Sequence, residues 1–119
     1  MPQIILEYTE NIQVSEDFNS LLLKIHQIIH SICSINIDNC KTRVVSHNQY
    51  FIGKGDLDKA FVHLEVIIFE GRSNKTKTML GENLITLLKD YFEPKTKNVD
   101  ITVYLNDIEK REYFKYSSN

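Results

Sequence analysis

The hydrophobic pattern of the chain switches between the two-residue period of strands and the longer period of helices. Residues 2–8 and 59–70 alternate as strands do, and the second segment is the clearer of the two. One of its faces is continuously apolar: Val62, Leu64, Val66 and Ile68. Residues 16–33 instead show helical spacing, with Phe18, Leu21, Leu22, Ile25, Ile28, Ile29 and Ile32 on one stripe. The pattern predicts an amphipathic helix between the two strands.

Further elements follow from turn and capping residues. An extended segment over about 40–52 is predicted before the turn at Gly53 and Gly55. A second helix begins after Ser73 and stops at Pro94, with a buried stripe of Leu80, Leu84, Leu87, Leu88 and Tyr91. Gly81 inside this helix predicts close approach to a neighbour. Residues 101–105 alternate as a strand, and 113–116 could form a short terminal one.

The order of these elements predicts an internal duplication. Ser15 and Ser73, the two expected helix N-caps, are 58 residues apart, and so are the expected strand starts at Pro2 and Ala60. We therefore expect an α/β (α+β) fold in which duplicated β-α-β units form a four-stranded sheet with two helices on one face. A chain of 119 residues accommodates one such domain, covering residues 1–119.

The second face of this sheet would keep a large apolar area. Phe61, Ile67 and Phe69 point away from the helices in the predicted arrangement. Contiguous apolar surface of this kind usually marks an interface, so we expect other subunits to cover it. A C-terminal segment that folds back over the same face is the alternative.

Composition narrows the possible functions. The chain has 42% hydrophobic and 25% charged residues, a net charge of −2 and a pI near 6.1, which argues against a nucleic-acid-binding surface. No stretch is long and apolar enough to span a membrane. The N-terminus lacks the features of a signal peptide, so we expect a cytoplasmic protein. Cys33 and Cys40 are expected to be free thiols there.

Pro2 is the first candidate for chemistry. Met followed by Pro is a favourable context for removal of the initiator methionine, which would leave Pro2 with a free secondary amine. An α-amino group has an ordinary pKa of about 7.7–8.0, and burial or nearby cations lower it further. Such an amine is a candidate general base. The simpler interpretation is that Pro2 only begins a strand. If Met1 is retained, the nitrogen is an amide and has no basicity.

Three cations are candidates for binding an anion. Arg72 stands where a strand ends and the Ser73-capped helix begins, so its guanidinium and free backbone N–H groups converge. Lys41 and Arg43 are two residues apart and project from the same strand face. A surface ion pair would explain Arg72 equally well, and charge on a solvated strand face is the usual explanation for Lys41 and Arg43. Together they would hold carboxylates and lower the pKa of the amine.

Histidines offer weaker candidates. His26, His30 and Cys33 have metal-ligand spacing on the first helix, but no further ligand is evident, so a boundary histidine pair is the preferred interpretation. His47 shares the strand face of Lys41 and could reach a substrate. His63 is expected to make interface hydrogen bonds or to border the pocket. Glu7, on the face opposite Pro2, is expected to have a structural partner.

The motif set resembles the tautomerase superfamily and, within it, the 5-carboxymethyl-2-hydroxymuconate isomerase family. The resemblance covers most of the chain, and its most specific part is the central block. The matching residues are Pro2, Ile5, Glu7, Asn11-Ile12, Arg43-Val44, Ala60-Phe61-Val62-His63, Gly71-Arg72-Ser73, Gly81-Glu82, Leu87 and Phe114-Lys115. No gap is needed between Pro2 and Ser73.

The resemblance implies a homotrimer without a metal or organic cofactor. It implies that the Pro2 amine, as general base and acid, moves a proton along a carboxylated dienol from homoprotocatechuate degradation, a branch of aromatic-acid catabolism. Arg72, Arg43 and Lys41 would bind this di- or tricarboxylate substrate. The family has an arginine at the position of Lys41, and lysine lacks the planar fork that binds a carboxylate through two bonds.

Two alternatives remain open at this point. A non-catalytic trimeric binding or interaction protein could keep the same fold and anion pocket while it retains Met1. A tautomerase of another pathway could share the residues but use a different substrate. The sequence does not identify the dienol, and it does not assign roles to His47 and His63.

Overall fold

A computed structural model describes residues 1–118 as one mixed four-stranded sheet with two helices on one face. The elements are β1 (Gln3–Thr9), α1 (Phe18–Cys33), β2 (Lys41–His47), β3 (Ala60–Phe69), α2 (Asn74–Phe92) and β4 (Val99–Ile108). The strand order is β2-β1-β3-β4. The outer pairs β1–β2 and β3–β4 are parallel, and the central pair β1–β3 is antiparallel. Two β-α-β units joined side by side give this arrangement, which confirms the predicted duplication.

The core lies between the sheet and the helices. Every second residue of β3 from Ala60 to Ile68 is buried, and β1 contributes Ile4 and Leu6. The helices complete the core with residues spaced four apart, as one helical face requires: Leu21, Ile25 and Ile29 from α1, and Leu80, Leu84, Leu88 and Phe92 from α2. The predicted apolar stripes are therefore the observed core faces.

The start of α1 differs from the prediction. Ser15 was expected to cap a helix over 16–33, but α1 begins at Phe18, with Asp17 at the N-cap position. The Ser15 hydroxyl donates to the Asp17 carboxylate, and the Tyr91 hydroxyl from α2 donates to the same carboxylate over 3.2 Å. The Ser15 hydroxyl is engaged by this carboxylate and does not cap the helix, so the prediction that Ser15 is the N-cap is wrong.

The start of α2 follows the prediction. The Ser73 side chain accepts a hydrogen bond from the Thr76 N–H over 3.1 Å, and the helix runs to Phe92, just before Pro94. Gly81 lies inside it, but an added Cβ would meet nothing within 4 Å. The expected close approach at Gly81 is therefore absent within the described part of this chain.

Two extended segments are shorter than predicted or absent. β2 ends at His47, and the chain then turns through Gly53 and Gly55, whose positive φ angles of 57° and 95° suit glycine. The possible strand over 113–116 is not observed. The chain there follows a short 3₁₀ turn, Lys110–Glu112, and Tyr113 attaches through its side chain instead of through backbone pairing.

The second face of the sheet is partly uncovered, as the sequence indicated. Tyr104 is 55% exposed and Val45 is 38% exposed on this face. The C-terminal segment covers one corner, where the Tyr113 ring packs edge-on against Phe69 with centroids 5.5 Å apart. In the described residues, no helix is both long and apolar enough to cross a membrane.

Candidate active site

Pro2 lies buried at the end of the sheet, immediately before β1. Its carbonyl accepts a hydrogen bond from the Lys41 backbone N–H over 3.3 Å. Because Gln3 pairs with both Lys41 and Ile67, Pro2 lies between Cys40 of one neighbouring segment and Ile68 of the other. Cys40 and Ile68 are both buried. The backbone ladder therefore fixes the position of the Pro2 nitrogen in a partly apolar environment.

The electrostatic environment of the N-terminus favours a neutral amine. Burial lowers the pKa of the Met1 amino group, and the positive charges of Lys41 and Lys115 lower this pKa further. The nearby Cys40 thiol has a smaller, opposite effect. An amine at this end of the chain therefore loses its proton more readily than an ordinary α-amino group.

A cleft of about 400 Å³ opens beside the N-terminus. Its walls come from the segment before β2, from the start of β2 and from the C-terminal segment: Asp38, Asn39, Lys41, Tyr113, Lys115, Tyr116 and Ser117. The Lys41 ammonium donates a hydrogen bond of 3.4 Å to the carbonyl of Asn39, which also lines the cleft. The two lysines that affect the N-terminal amine are thus the two that line the cleft.

Arg72 is held at the end of β3 by the local backbone. Gly71, with a φ of 117°, turns the chain away from the strand, and the Arg72 guanidinium donates back to the Phe69 carbonyl over 3.0 Å. Its charge and a hydrogen bond also act on the Cys33 thiol, where they oppose the rise in pKa that burial causes. Arg72 therefore bridges the end of β3 and the end of α1, half-buried and next to the start of α2.

Arg43 lies further along β2 than Lys41. Its guanidinium donates to the Gln3 side-chain oxygen over 2.7 Å and to the Ile4 carbonyl over 3.5 Å. Arg43 and Lys41 project from the Gln3 side of the sheet, whereas Pro2 lies on the helix side with Ile4. The predicted shared face of Lys41 and Arg43 is observed, but neither Arg43 nor Arg72 is among the described residues that line the cleft.

Gln3 connects this region to the C-terminal segment. Its amide nitrogen donates to the Tyr113 hydroxyl over 2.9 Å while its oxygen accepts from Arg43. Reasoning from the pattern missed Gln3, Tyr113 and Lys115, because Gln3 is 110 residues from Tyr113 in sequence. Only the match of Phe114-Lys115 to the family pattern hinted that the C-terminal segment belongs here.

The histidines have other partners. His47 lies at the far end of β2, opposite Thr9, where it pairs with Glu7 over 2.8 Å. Lys41 is six residues away, about 20 Å along the strand, so His47 does not reach the cleft within one chain. Glu7 therefore has the structural partner that was expected. The ring of His63 contacts the Thr102 hydroxyl over 2.6 Å in the middle of the sheet.

The histidines of α1 are engaged in the same way. His26 contacts the Thr42 hydroxyl over 2.6 Å, and His30 contacts the Ile35 carbonyl over 2.7 Å. Within residues 1–118, no group of three or more His, Cys, Asp or Glu side chains is arranged to hold a metal ion. These contacts support the interpretation of His26 and His30 as boundary residues of the helix.

Comparison with known proteins identifies relatives of the whole chain. The family model for 5-carboxymethyl-2-hydroxymuconate isomerase matches residues 2–119. The 5-carboxymethyl-2-hydroxymuconate Delta-isomerase of Escherichia coli is 28% identical over 92 residues, which are 77% of this chain and 73% of that protein.

Solved structures of similar proteins share the fold. A 5-carboxymethyl-2-hydroxymuconate isomerase from Deinococcus radiodurans R1 superposes with a TM-score of 0.83 at 24% identity, covering 98% of this chain and 90% of that one. A fused wild-type 4-OT protein, solved as a symmetric trimer, gives a TM-score of 0.73 at 17% identity, with 91% and 86% coverage.

Proposed function

Because this chain belongs to the 5-carboxymethyl-2-hydroxymuconate isomerase family and is an isomerase with the tautomerase fold, we propose that Pro2 is its general base and acid. The substrate class is a conjugated dienol with two or three carboxylates, of the 5-carboxymethyl-2-hydroxymuconate type. The pathway is the degradation of an aromatic acid, homoprotocatechuate. After Met1 is removed, the secondary amine of Pro2 lies just before the first residue of β1, beside Lys41.

The reaction is a proton transfer along a conjugated chain. The neutral Pro2 amine takes the proton from the dienol hydroxyl, and the oxygen lone pair forms the new carbonyl as the double bonds shift. The resulting Pro2 ammonium then gives a proton to the distant carbon, where a C–H bond forms. One proton leaves oxygen and one arrives at carbon, so no oxidant, reductant or cofactor is required.

The cations hold the substrate and stabilise the negative charge that develops on it. Lys41 lines the cleft beside the N-terminus, and Arg72 presents a half-buried guanidinium near the start of α2. Arg43 stands between them in sequence and on the Gln3 side of the sheet. Fixed positive charge near the forming dienolate lowers the barrier without any reorganisation of the site.

The observation that carries this proposal is the position of buried Pro2, which the Lys41 backbone holds where burial and two lysines lower the pKa of the preceding Met1 amine. A base must be unprotonated to work, and a lower pKa raises the fraction of neutral amine at neutral pH. Burial, Lys41 and Lys115 act in the same direction on this amine. An N-terminus that served only to begin a strand would need none of these cations.

We expect the working form to be a homotrimer. The family fold recurs in a solved symmetric trimer, and this chain leaves Tyr104 and Val45 exposed on an apolar sheet face. Burial of that face between three subunits would bring chain segments from neighbouring subunits towards the ends of each sheet, where Pro2 and Arg72 lie.

The direct experiment measures ketonisation of hydroxymuconate-type dienols by ultraviolet absorbance. The protein is first verified by intact mass to begin at Pro2. We expect wild-type turnover, and we expect Pro2→Ala to lose about 10²–10⁴-fold in kcat, since general acid–base catalysis contributes that much. Pro94→Ala, at the other proline of the chain, is the matched control and should retain activity.

Arg72→Ala extends the same experiment to the binding groups. It should raise KM and lower kcat, because it removes both a carboxylate contact and charge stabilisation. Arg111→Ala, at an exposed arginine after β4, is the control. No turnover from verified Pro2-starting protein would refute the proposal. Retention of Met1 in protein from its native source would favour a non-catalytic binding role.

A further inference from the structure

We propose that the C-terminal segment supplies Lys115 as a second carboxylate-binding cation, which lines the same cleft as Lys41 and sets the preference for substrates with more than one carboxylate. This inference rests on the proposed function of the N-terminal site and adds a specificity-determining residue to it.

The composition of the cleft suits a small polyanion. Its volume of about 400 Å³ lies within the range of small-molecule sites, roughly 300–1,000 Å³. Among the residues that line the cleft, Lys41 and Lys115 provide two positive charges and Asp38 provides one negative charge. The amine of the N-terminus lies within the electrostatic reach of both lysines. The balance of charge in the cleft is therefore positive.

The structure explains why Lys115 lies here. Tyr113 is anchored twice, by the Gln3 hydrogen bond of 2.9 Å and by edge-on packing against Phe69. The 3₁₀ turn that precedes it is closed by a bond from the Tyr113 N–H to the Lys110 carbonyl over 3.1 Å. Tyr113 has an extended backbone, and Lys115, two residues later, lines the same cleft as Tyr113.

A solvated lysine in a surface segment is the simpler explanation for Lys115. Two observations nevertheless favour a role in binding. Lys115 and Lys41 line the same cleft although 74 residues separate them in sequence, and the charge of Lys115 lowers the pKa of the N-terminal amine. The Lys115 side chain is itself exposed, and its place in the wall of the cleft is what distinguishes it from other exposed lysines.

Lys115 also compensates for the chemistry of Lys41. A lysine binds a carboxylate as a point charge and lacks the two-pronged geometry of arginine. A second ammonium in the same cleft would hold a second carboxylate, or the other oxygen of the same one. Two separated point charges favour a ligand that carries two separated negative groups.

The test compares Lys115→Gln with Lys115→Arg and with the control Lys97→Gln. Lys97 is an exposed lysine just before β4, at the end of the sheet opposite to Pro2, so it carries the same change of charge away from the cleft. We expect Lys115→Gln to lower kcat/KM about tenfold, the loss of one charged hydrogen bond, with most of the change in KM. Lys115→Arg should recover most of the loss.

Two further readouts separate a binding role from a structural one. The Lys115→Gln defect should shrink on a dienol that lacks one carboxylate, because the lost contact is absent there. The acid limb of the kcat/KM profile should move to higher pH, since removal of a positive charge raises the pKa of the Pro2 amine. Equal kinetics for Lys115→Gln and Lys97→Gln on both substrates would overturn the inference. A wild-type enzyme without turnover would instead overturn the proposed function.

Discussion

At the scale of single residues, the site depends on partners that hold each charged group. Arg72 is fixed by the Phe69 carbonyl and by contact with Cys33, and Arg43 is fixed by Gln3. Lys41 is placed by its own backbone, whose N–H donates to Pro2. All four partners are backbone carbonyls or uncharged side chains, and none of the three cations forms an ion pair within the described residues. The proposed substrate-binding role requires this unpaired positive charge.

His26 gives a pH dependence that can be tested at this scale. Burial lowers the pKa of His26 from its ordinary value of 6.5, so the folded protein binds fewer protons than the unfolded chain in the range below that value. The free energy of unfolding should therefore fall as the pH falls below about 6.5.

Urea unfolding at about pH 7.5 and about pH 5 measures this effect in the wild type and in His26→Gln. The variant should lose less stability than the wild type between the two values. His30→Gln, at an exposed histidine of the same helix, is the control and should resemble the wild type. An unchanged pH dependence in His26→Gln would contradict the assignment.

At the scale of elements, the two helices begin in different ways although the chain is duplicated. Ser73 caps α2 through its side chain, whereas the equivalent serine of the first unit, Ser15, donates to Asp17. The Ser15 hydroxyl and the Tyr91 hydroxyl from α2 both donate to the Asp17 carboxylate, and both lower the pKa of this group. Contacts between helices thus decided where α1 begins.

The two serines form a matched pair for a stability measurement. Ser73→Ala should reduce the free energy of unfolding by about 1 kcal/mol, the usual contribution of a side-chain N-cap. Ser15→Ala should have a clearly smaller effect, because no helix N–H loses its partner. Urea denaturation of both variants decides the matter, and equal losses would mean that Ser15 does cap α1 in solution.

At the scale of the whole molecule, one face of the sheet is built for contact. The helices cover one side, and the other keeps exposed apolar groups such as Tyr104 and Val45. Tyr113 covers only the corner near Phe69. The alternative in which the C-terminal segment covers this face therefore applies to that corner alone, since Phe114 and Tyr116 are 89% and 88% exposed.

Tyr104→Glu tests assembly directly. The variant places a charge on the uncovered face, in the edge strand β4, so we expect it to weaken or abolish a trimer of three 13.9 kDa chains. Analytical ultracentrifugation gives the mass. Leu23→Glu is the control, because Leu23 is similarly exposed, at 50%, but lies on the helix side. A wild-type monomer, or a Tyr104→Glu variant that remains fully trimeric, would contradict this role of the face.

Much of the architecture followed from local patterns. Periodic burial of β3, α1 and α2 produces a periodic pattern of apolar residues in the sequence. This pattern predicted the three elements and, together with the 58-residue repeat, their order. The same holds for Ser73, Gly71 and Pro94, whose backbone preferences act within a few residues. These predicted boundaries placed Pro2 at the start of one strand and Arg72 at the end of another, which made both residues candidates for the site.

The arrangement of the site was decided only by tertiary structure. Pairing of β1 with β2 placed Lys41 against Pro2, and the Gln3–Tyr113 bond brought Lys115 to the same cleft. Tertiary packing also paired His47 with Glu7, and the Ser15 hydroxyl donates to the Asp17 carboxylate. Local preferences within a few residues cannot specify such contacts, because their free energy depends on segments that meet only after the sheet has formed.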